Sequence, residues 1–252
     1  MLIQNALKIW MRNFLVFKRQ WLASLLWVIG EPVMYLGAIG FGLGAFVNTI
    51  GGKSYVEFYY PGLLCHTAIL VSFFEATYGA YNKLVEQKLF QNLKLAPLRT
   101  RDILAGEILW CTSKGFIAVL GVMMIGAFFG LSTVTSLLAL PIFIFLSFVF
   151  TCLGMIFTAL AKNYNSFIYS TSSLIVPLSL IAGIYFPMEQ LPLLLRWLSY
   201  LSPLTQGLEL VRAISDLNFH TPHLFFAWGL LLYLIILPRL VIILFKKKLE
   251  RN

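Results

Sequence analysis

Tyr81–Glu107, YNKLVEQKLFQNLKLAPLRTRDILAGE, is the longest non-apolar run in the chain. It carries five of the nineteen basic residues (Lys83, Lys88, Lys94, Arg99 and Arg101), three acids (Glu86, Asp102 and Glu107) and one proline, Pro97. The apolar segments on either side are each long enough to cross a bilayer, so the run reads as a polar island between two membrane spans. It is the place where such a chain can be driven from outside itself.

The composition outside the island sets the class. Of the 252 residues, 60% are hydrophobic and 12% charged, and the mean hydropathy is +0.85, whereas about 25% are charged in soluble globular domains. This points to an all-α integral membrane protein. At roughly 20 apolar residues per crossing, the length allows about six spans and no sizeable soluble domain. The net charge of +9 does not indicate nucleic acid, because the cations gather at the ends of apolar segments and form no basic, aromatic-rich face outside them. Cys65, Cys111 and Cys152 all fall in apolar segments without metal-ligand spacing and read as small buried hydrophobes. His66, His220 and His223 lie in or near spans without clustered acids or thiols, so no metal site is expected. No cleavable signal peptide is evident, and the first span is expected to stay as an anchor.

In chain order, residues 1–21 form an amphipathic helix and residues 22–252 a six-span domain. Ile3, Leu7, Trp10, Phe14 and Phe17 recur at helical spacing opposite Asn5, Lys8, Arg12 and Arg19, which predicts a helix lying in the interface with its apolar face toward lipid. Spans are expected near residues 22–47, kinked at Glu31-Pro32, then 58–81, 103–130, 137–161, 166–185 and 223–245. Asn48 to Glu57 reads as a short polar connection. Residues 186–221 contain Pro187, Pro192 and Pro203 with scattered charges, too broken for one span. They are expected to form two short re-entrant helices buried against protein at the outer side.

Orientation follows from the cations. Fourteen (Lys8, Arg12, Lys18, Arg19, the island's five, Lys162, Lys246, Lys247, Lys248 and Arg251) fall on one side, and Lys53, Arg196 and Arg212 on the other. That asymmetry places the island and both termini in the cytoplasm. Within the spans, Glu75, Glu107 and Lys114 each cost a few kcal/mol unless partnered, so Lys114 is expected to pair with Glu75 or Glu107. Such a pair can fix helix packing, touch a substrate or relay protons. Tyr35, Phe41, Tyr59, Tyr60 and Tyr185 offer flat faces to sugar or lipid. The phosphate loop GxxxxGK[ST] is absent, so nucleotide hydrolysis by that route is not expected of this chain. An ion channel or ion-coupled carrier would be expected to show an internal repeat or more buried charges, and a membrane enzyme for lipid-linked sugars needs convergent acids or histidines.

FEATYGAY (74–81), PLRTRDILAGEILW (97–110), FTALAKNYNSF (157–167), AGIYFPMEQLP (182–192) and LSPLTQGLELVR (201–212), in this order of spans, make the chain resemble the permease subunit of a type-2 ABC exporter. Within that family it is most similar to lipooligosaccharide or nodulation-factor exporter permeases. The resemblance implies a homodimer in the bacterial inner membrane that binds two copies of a separate ATPase. ATP and Mg are then held by the partner and no cofactor by this chain, and an amphiphilic glycolipid passes between protomers. It further implies that residues 83–102 couple to the ATPase, with Lys83, Glu86, Gln87, Lys88, Pro97, Leu98, Arg99 and Asp102 as contacts, and that Phe186, Pro187, Pro192 and Pro203 shape an outer gate. Drug or other polysaccharide exporters share the scaffold, and no motif here fixes the head group.

Overall fold

A computed structural model, described for residues 2–47, 49–218 and 221–251, is almost wholly helical. α1 (Leu2–Arg19) leads into α2 (Trp21–Tyr35), which continues through wide π-type turns over Leu36–Leu43. A two-stranded hairpin, β1 (Thr49–Ile50) and β2 (Lys53–Ser54), precedes α3 (Tyr55–Phe74), whose helical path extends through π-type turns as far as Glu86. Then follow α4 (Leu89–Lys94), α5 (Thr100–Phe128), α6 (Val134–Leu138), α7 (Leu140–Leu160), α8 (Asn165–Ser170), α9 (Val176–Ile181), α10 (Leu193–Tyr200), α11 (Pro203–Ser215) and α12 (Thr221–Arg251).

Among the described residues, four helical stretches are long and apolar enough to cross a membrane: Tyr55–Glu86, Thr100–Phe128, Leu140–Leu160 and His223–Lys248. They correspond to the second, third, fourth and sixth expected spans. The first and fifth are shorter apolar helices, Val28–Leu43 and Asn165–Ile181. The latter rises only about 25 Å at 1.5 Å per residue, just short of a hydrocarbon core of about 30 Å.

α3 is the centre of the bundle, packed between α5 and α7 and covered at its outer half by α11. In lipid the drive to pack is van der Waals contact rather than water exclusion, so close approach at small residues matters most. Gly106 of α5 is the clearest case. A Cβ there would stand 2.6 Å from Ile9 Cβ and 2.8 Å from the Ala6 carbonyl oxygen, so only glycine lets α1 settle onto α5.

That contact corrects the expected orientation of α1. Trp10, Phe14 and Phe17 do not face lipid; they pack on the core, with Trp10 Nε1 donating to Ser113 Oγ at 3.0 Å and Phe17 meeting Trp110 edge-on. Asn5 does not point outward either, but donates to Asp102 Oδ2 at 2.9 Å. The apolar residues left exposed are Leu2, Ile3, Leu7, Met11, Leu15 and Val16. The helix therefore carries two apolar faces, one for α5 and one outward, which a single amphipathic pattern does not separate.

The polar connection Asn48 to Glu57 contains the hairpin, turned by Gly51 and Gly52 at φ +58 and +82, values that favour glycine. It also contains the start of α3, where Ser54 and Glu57 form a capping box. Much of the polar island is helical as well, since α3 runs past Tyr81 and α5 begins before Ile103. Lys88 turns the chain between them in the left-handed region, φ 48. Among the predicted outer-gate residues, Pro192 caps α10 and Pro203 opens α11 at its first turn, where a missing amide hydrogen costs nothing. Phe186 and Pro187 lie half-buried in the turn before Met188–Gln190. His220 lies outside the described residues.

Candidate functional site

Where the segment between α3 and α5 enters the bundle, charged side chains from three elements join in one continuous chain. Lys114 Nζ donates to Glu75 Oε2 at 2.7 Å. The other oxygen of Glu75 accepts from Trp110 Nε1 at 2.9 Å and from Lys83 Nζ at 3.3 Å. Lys83 Nζ donates in turn to Glu107 Oε2 at 2.8 Å, and Glu107 Oε1 accepts from Asn13 Nδ2 at 2.8 Å. The Glu107 side chain is 0% exposed.

Each partner is placed by its helix. Glu107, Trp110 and Lys114 lie within two turns of α5 and share one face. Glu75 opens the π-type turns that extend α3, and Lys83 lies two turns further on. Asn13 stands on the face of α1 that Gly106 admits to α5. Two lysines and two glutamates alternate, so the buried cluster is neutral. Single removal of one partner from a buried pair leaves an uncompensated charge and costs about 3–5 kcal/mol.

Of the residues expected to meet within the spans, Lys114 pairs with Glu75, while Glu107 takes Lys83 instead. Lys83 had been grouped with the ATPase contacts, yet its ammonium is turned inward between two carboxylates. Asp102 is also buried, held by Asn5 and by the Arg99 amide at the start of α5. The other coupling candidates are at the surface: Glu86, Gln87, Lys88, Pro97 and Arg99 are exposed, and Leu98 is half-buried. α4 is anchored beneath them by Phe90, fully buried against Phe245 of α12.

Asn13 and Trp110, as members of the cluster, are not among the residues expected from the sequence, nor is Leu95, 89% exposed in the segment between α3 and α5. Leu95 could have been found as an aliphatic residue two positions before Pro97, where a helix is expected to end. Asn13 carries no such signal, since its partner is 94 residues away. The aromatic candidates divide. Tyr59 and Tyr60 are buried, Tyr59 stacked between Tyr55 and Tyr185 and Tyr60 bonded through its hydroxyl to Ser132 Oγ at 2.6 Å, so neither presents a free face.

At the opposite end of the bundle, Arg212 of α11 donates to the Gly183 carbonyl at 2.7 Å and to the Phe58 carbonyl at 3.5 Å, pairs with Glu209 at 3.3 Å and lies over the Phe58 ring. It ties α11 to α3 and to the turn after α9. Lys53 of the hairpin pairs with Asp216 beyond the end of α11.

The ABC-2 type transporter family profile matches residues 5–215. The chain is 35% identical to Nodulation protein J of Rhizobium leguminosarum bv. trifolii, over 83% of this chain and 80% of that protein. It is 30% identical to Nodulation protein J of Neorhizobium galegae, over 93% of this chain and 89% of that protein. It is also 24% identical to the inner membrane transport permease YadH of Escherichia coli, over 78% and 77%. With helices long and apolar enough to cross a membrane and a family match across most of its length, this chain belongs to the ABC-2 type transporter family as a multi-pass permease subunit.

Proposed function

We propose that this chain is the permease of an ATP-driven exporter that moves an amphiphilic lipid-linked glycan, a lipooligosaccharide, out of the cytoplasm or inner leaflet of a bacterial inner membrane. It works as a homodimer with two copies of a separate ATPase and with both termini in the cytoplasm. Likeness to nodulation proteins supports the substrate class. The buried chain Lys114–Glu75–Lys83–Glu107–Asn13 is the observation that carries the mechanism.

The cytoplasmic segment has two ends with different jobs. Its tip exposes Leu95, Pro97, Lys88 and Arg99, an apolar point ringed by cations, suited to a groove on a partner. Its root is fixed by Lys83, which holds Glu107 of α5 and Glu75 of α3 together. When ATP draws the partner ATPases together, the tip moves and the root passes the displacement to α3 and α5 as rigid helices. Because Lys83 already lies within reach of both carboxylates, a small shift can exchange its closer partner without leaving either charge bare.

The test is charge reversal at Lys88 or Arg99 in the purified permease–ATPase complex. The expected result is weakened ATPase binding or lost stimulation of hydrolysis, with the permease still dimeric. Unaffected coupling overturns the assignment of the tip.

A further inference from the structure

Beside the charge cluster, a cleft of about 420 Å³ runs between α2 and α3, from Leu63 at one end to Gly79 at the other. Sixteen residues of helix make it about 24 Å long. Its cytoplasmic end is closed by Glu75 and Lys114, which satisfy each other. Its wall further out is mostly apolar, with Leu70, Val71 and Phe74 along α3. Into this wall α2 places Glu31, half-buried, with Tyr35 one turn beyond it on the same face. The Tyr35 ring meets that of His66 edge-on at 6.2 Å, and His66 Nδ1 is bonded to Ser179 Oγ of α9 at 3.0 Å.

Glu31 differs from every other carboxylate in the bundle interior. Glu75 and Glu107 each have two or more partners, whereas Glu31 has no hydrogen bond or ion pair to any described residue. A lone carboxyl group among apolar neighbours costs a few kcal/mol on insertion scales. As a packing device it would gain nothing here, because no described residue bonds its oxygens. Pro32 follows it, so the local helix is already loosened, and a smaller apolar residue would serve the bend as well.

We infer that Glu31, with the Tyr35 and His66 rings beside it, is the station in this cleft that receives the hydroxyl- and amide-bearing head group of an acylated oligosaccharide. This deepens the exporter reading above and rests on it. A carboxyl group accepts from adjacent sugar hydroxyls or an amide N–H, and two aromatic rings set edge to face offer the apolar side of a sugar a surface. The cleft has the size of a small-ligand site. It holds a sugar ring or two, and the apolar stretch between Glu31 and the Glu75–Lys114 pair accommodates part of a chain.

The experiment measures binding of two probes to the permease–ATPase complex in nanodiscs: a fluorescent mono-acylated oligosaccharide, and the same molecule with its hydroxyls O-methylated. The wild type is expected to prefer the free-hydroxyl probe by about tenfold or more, the worth of a hydrogen bond to a charged group. Glu31→Ala should lose that preference while still binding the O-methylated probe, and Glu31→Gln should keep part of it. Removing an unpaired carboxyl group is not expected to harm folding, and the glutamine variant preserves shape if it does. Retained preference in Glu31→Ala overturns the inference and leaves the exporter reading standing. So does dissociation of Glu31→Ala into protomers, which makes Glu31 a contact between subunits. A wild type that binds neither probe overturns the glycolipid reading itself.

Discussion

The two ends of the helical bundle are held by cations in opposite ways. At the end that carries α4, Lys83 and Lys114 bond side chains, the carboxylates of Glu75 and Glu107. At the opposite end Arg212 bonds chiefly to backbone carbonyls, those of Gly183 and Phe58. A carboxylate on a helix can exchange one ammonium for another by changing rotamer. A carbonyl is fixed by the backbone, and a planar guanidinium reaching two of them is pinned. The end that carries α4 is thus built to keep its charges paired while helices shift, and the opposite end to hold three segments in one register. The arrangement puts adaptability at the end where we propose that an ATPase acts.

The largest effect should come from breaking the cytoplasmic cluster at its fully buried member. Glu107→Ala leaves Lys83 with the more distant Glu75 and Asn13 without an acceptor, at about 3–5 kcal/mol. The expected outcome is a large fall in yield and melting temperature of the purified permease; near wild-type stability would show that the cluster is not closed in the membrane. Arg212→Met should cost less, about 2–3 kcal/mol, because it deletes charge-assisted bonds but fills the same space. Limited proteolysis in the turn near Gly183 should rise while the cytoplasmic segment stays protected. If both ends loosen together, the comparison fails.

Asn13→Ala removes one bond to a carboxylate that keeps its lysine on the other oxygen, for about 1–2 kcal/mol. Cross-linking of engineered cysteines on α1 and α5 would read the loosened helix directly. Lys53→Ala should cost less again. Its pair with Asp216 is exposed, 47% and 41% for the two side chains, so at most about 1 kcal/mol is lost, and less in high salt. Leu95→Asp should leave stability within about 0.5 kcal/mol, as expected of a surface site, and should still abolish capture of the ATPase. A variant that destabilises the permease instead would show Leu95 to be packed.

What the sequence disclosed and withheld can be traced through single residues. The positions of Glu75, Glu107 and Lys114 in apolar runs were enough to demand partners, since a bare charge in hydrocarbon has nowhere else to go. Which acid Lys114 would choose was not legible, because both lie within reach on a helix-wheel argument and only the crossing of α3 and α5 decides. Lys83 looked like a surface cation because it begins a polar run. It is inside because α3 continues as a helix to Glu86 and carries that position around to face Glu107. Glycines 51 and 52 did announce a hairpin, and reading the stretch only as a connection passed over that signal.

By itself the sequence determined the membrane-spanning helical class, the approximate spans, the side on which the cations gather and the resemblance to ABC permeases. The first three depend on composition and on periodicities local to each segment, which any neighbour arrangement must respect, and the resemblance rests on the motifs quoted above. Tertiary structure alone decided the two-faced packing of α1, the inward turn of Lys83 and Asp102, the recruitment of Asn13 and the isolation of Glu31. Each of these is a meeting, or a missed meeting, of side chains far apart in sequence. Its energy depends on how closely two helices approach, as at Gly106, and that distance is set by the whole bundle.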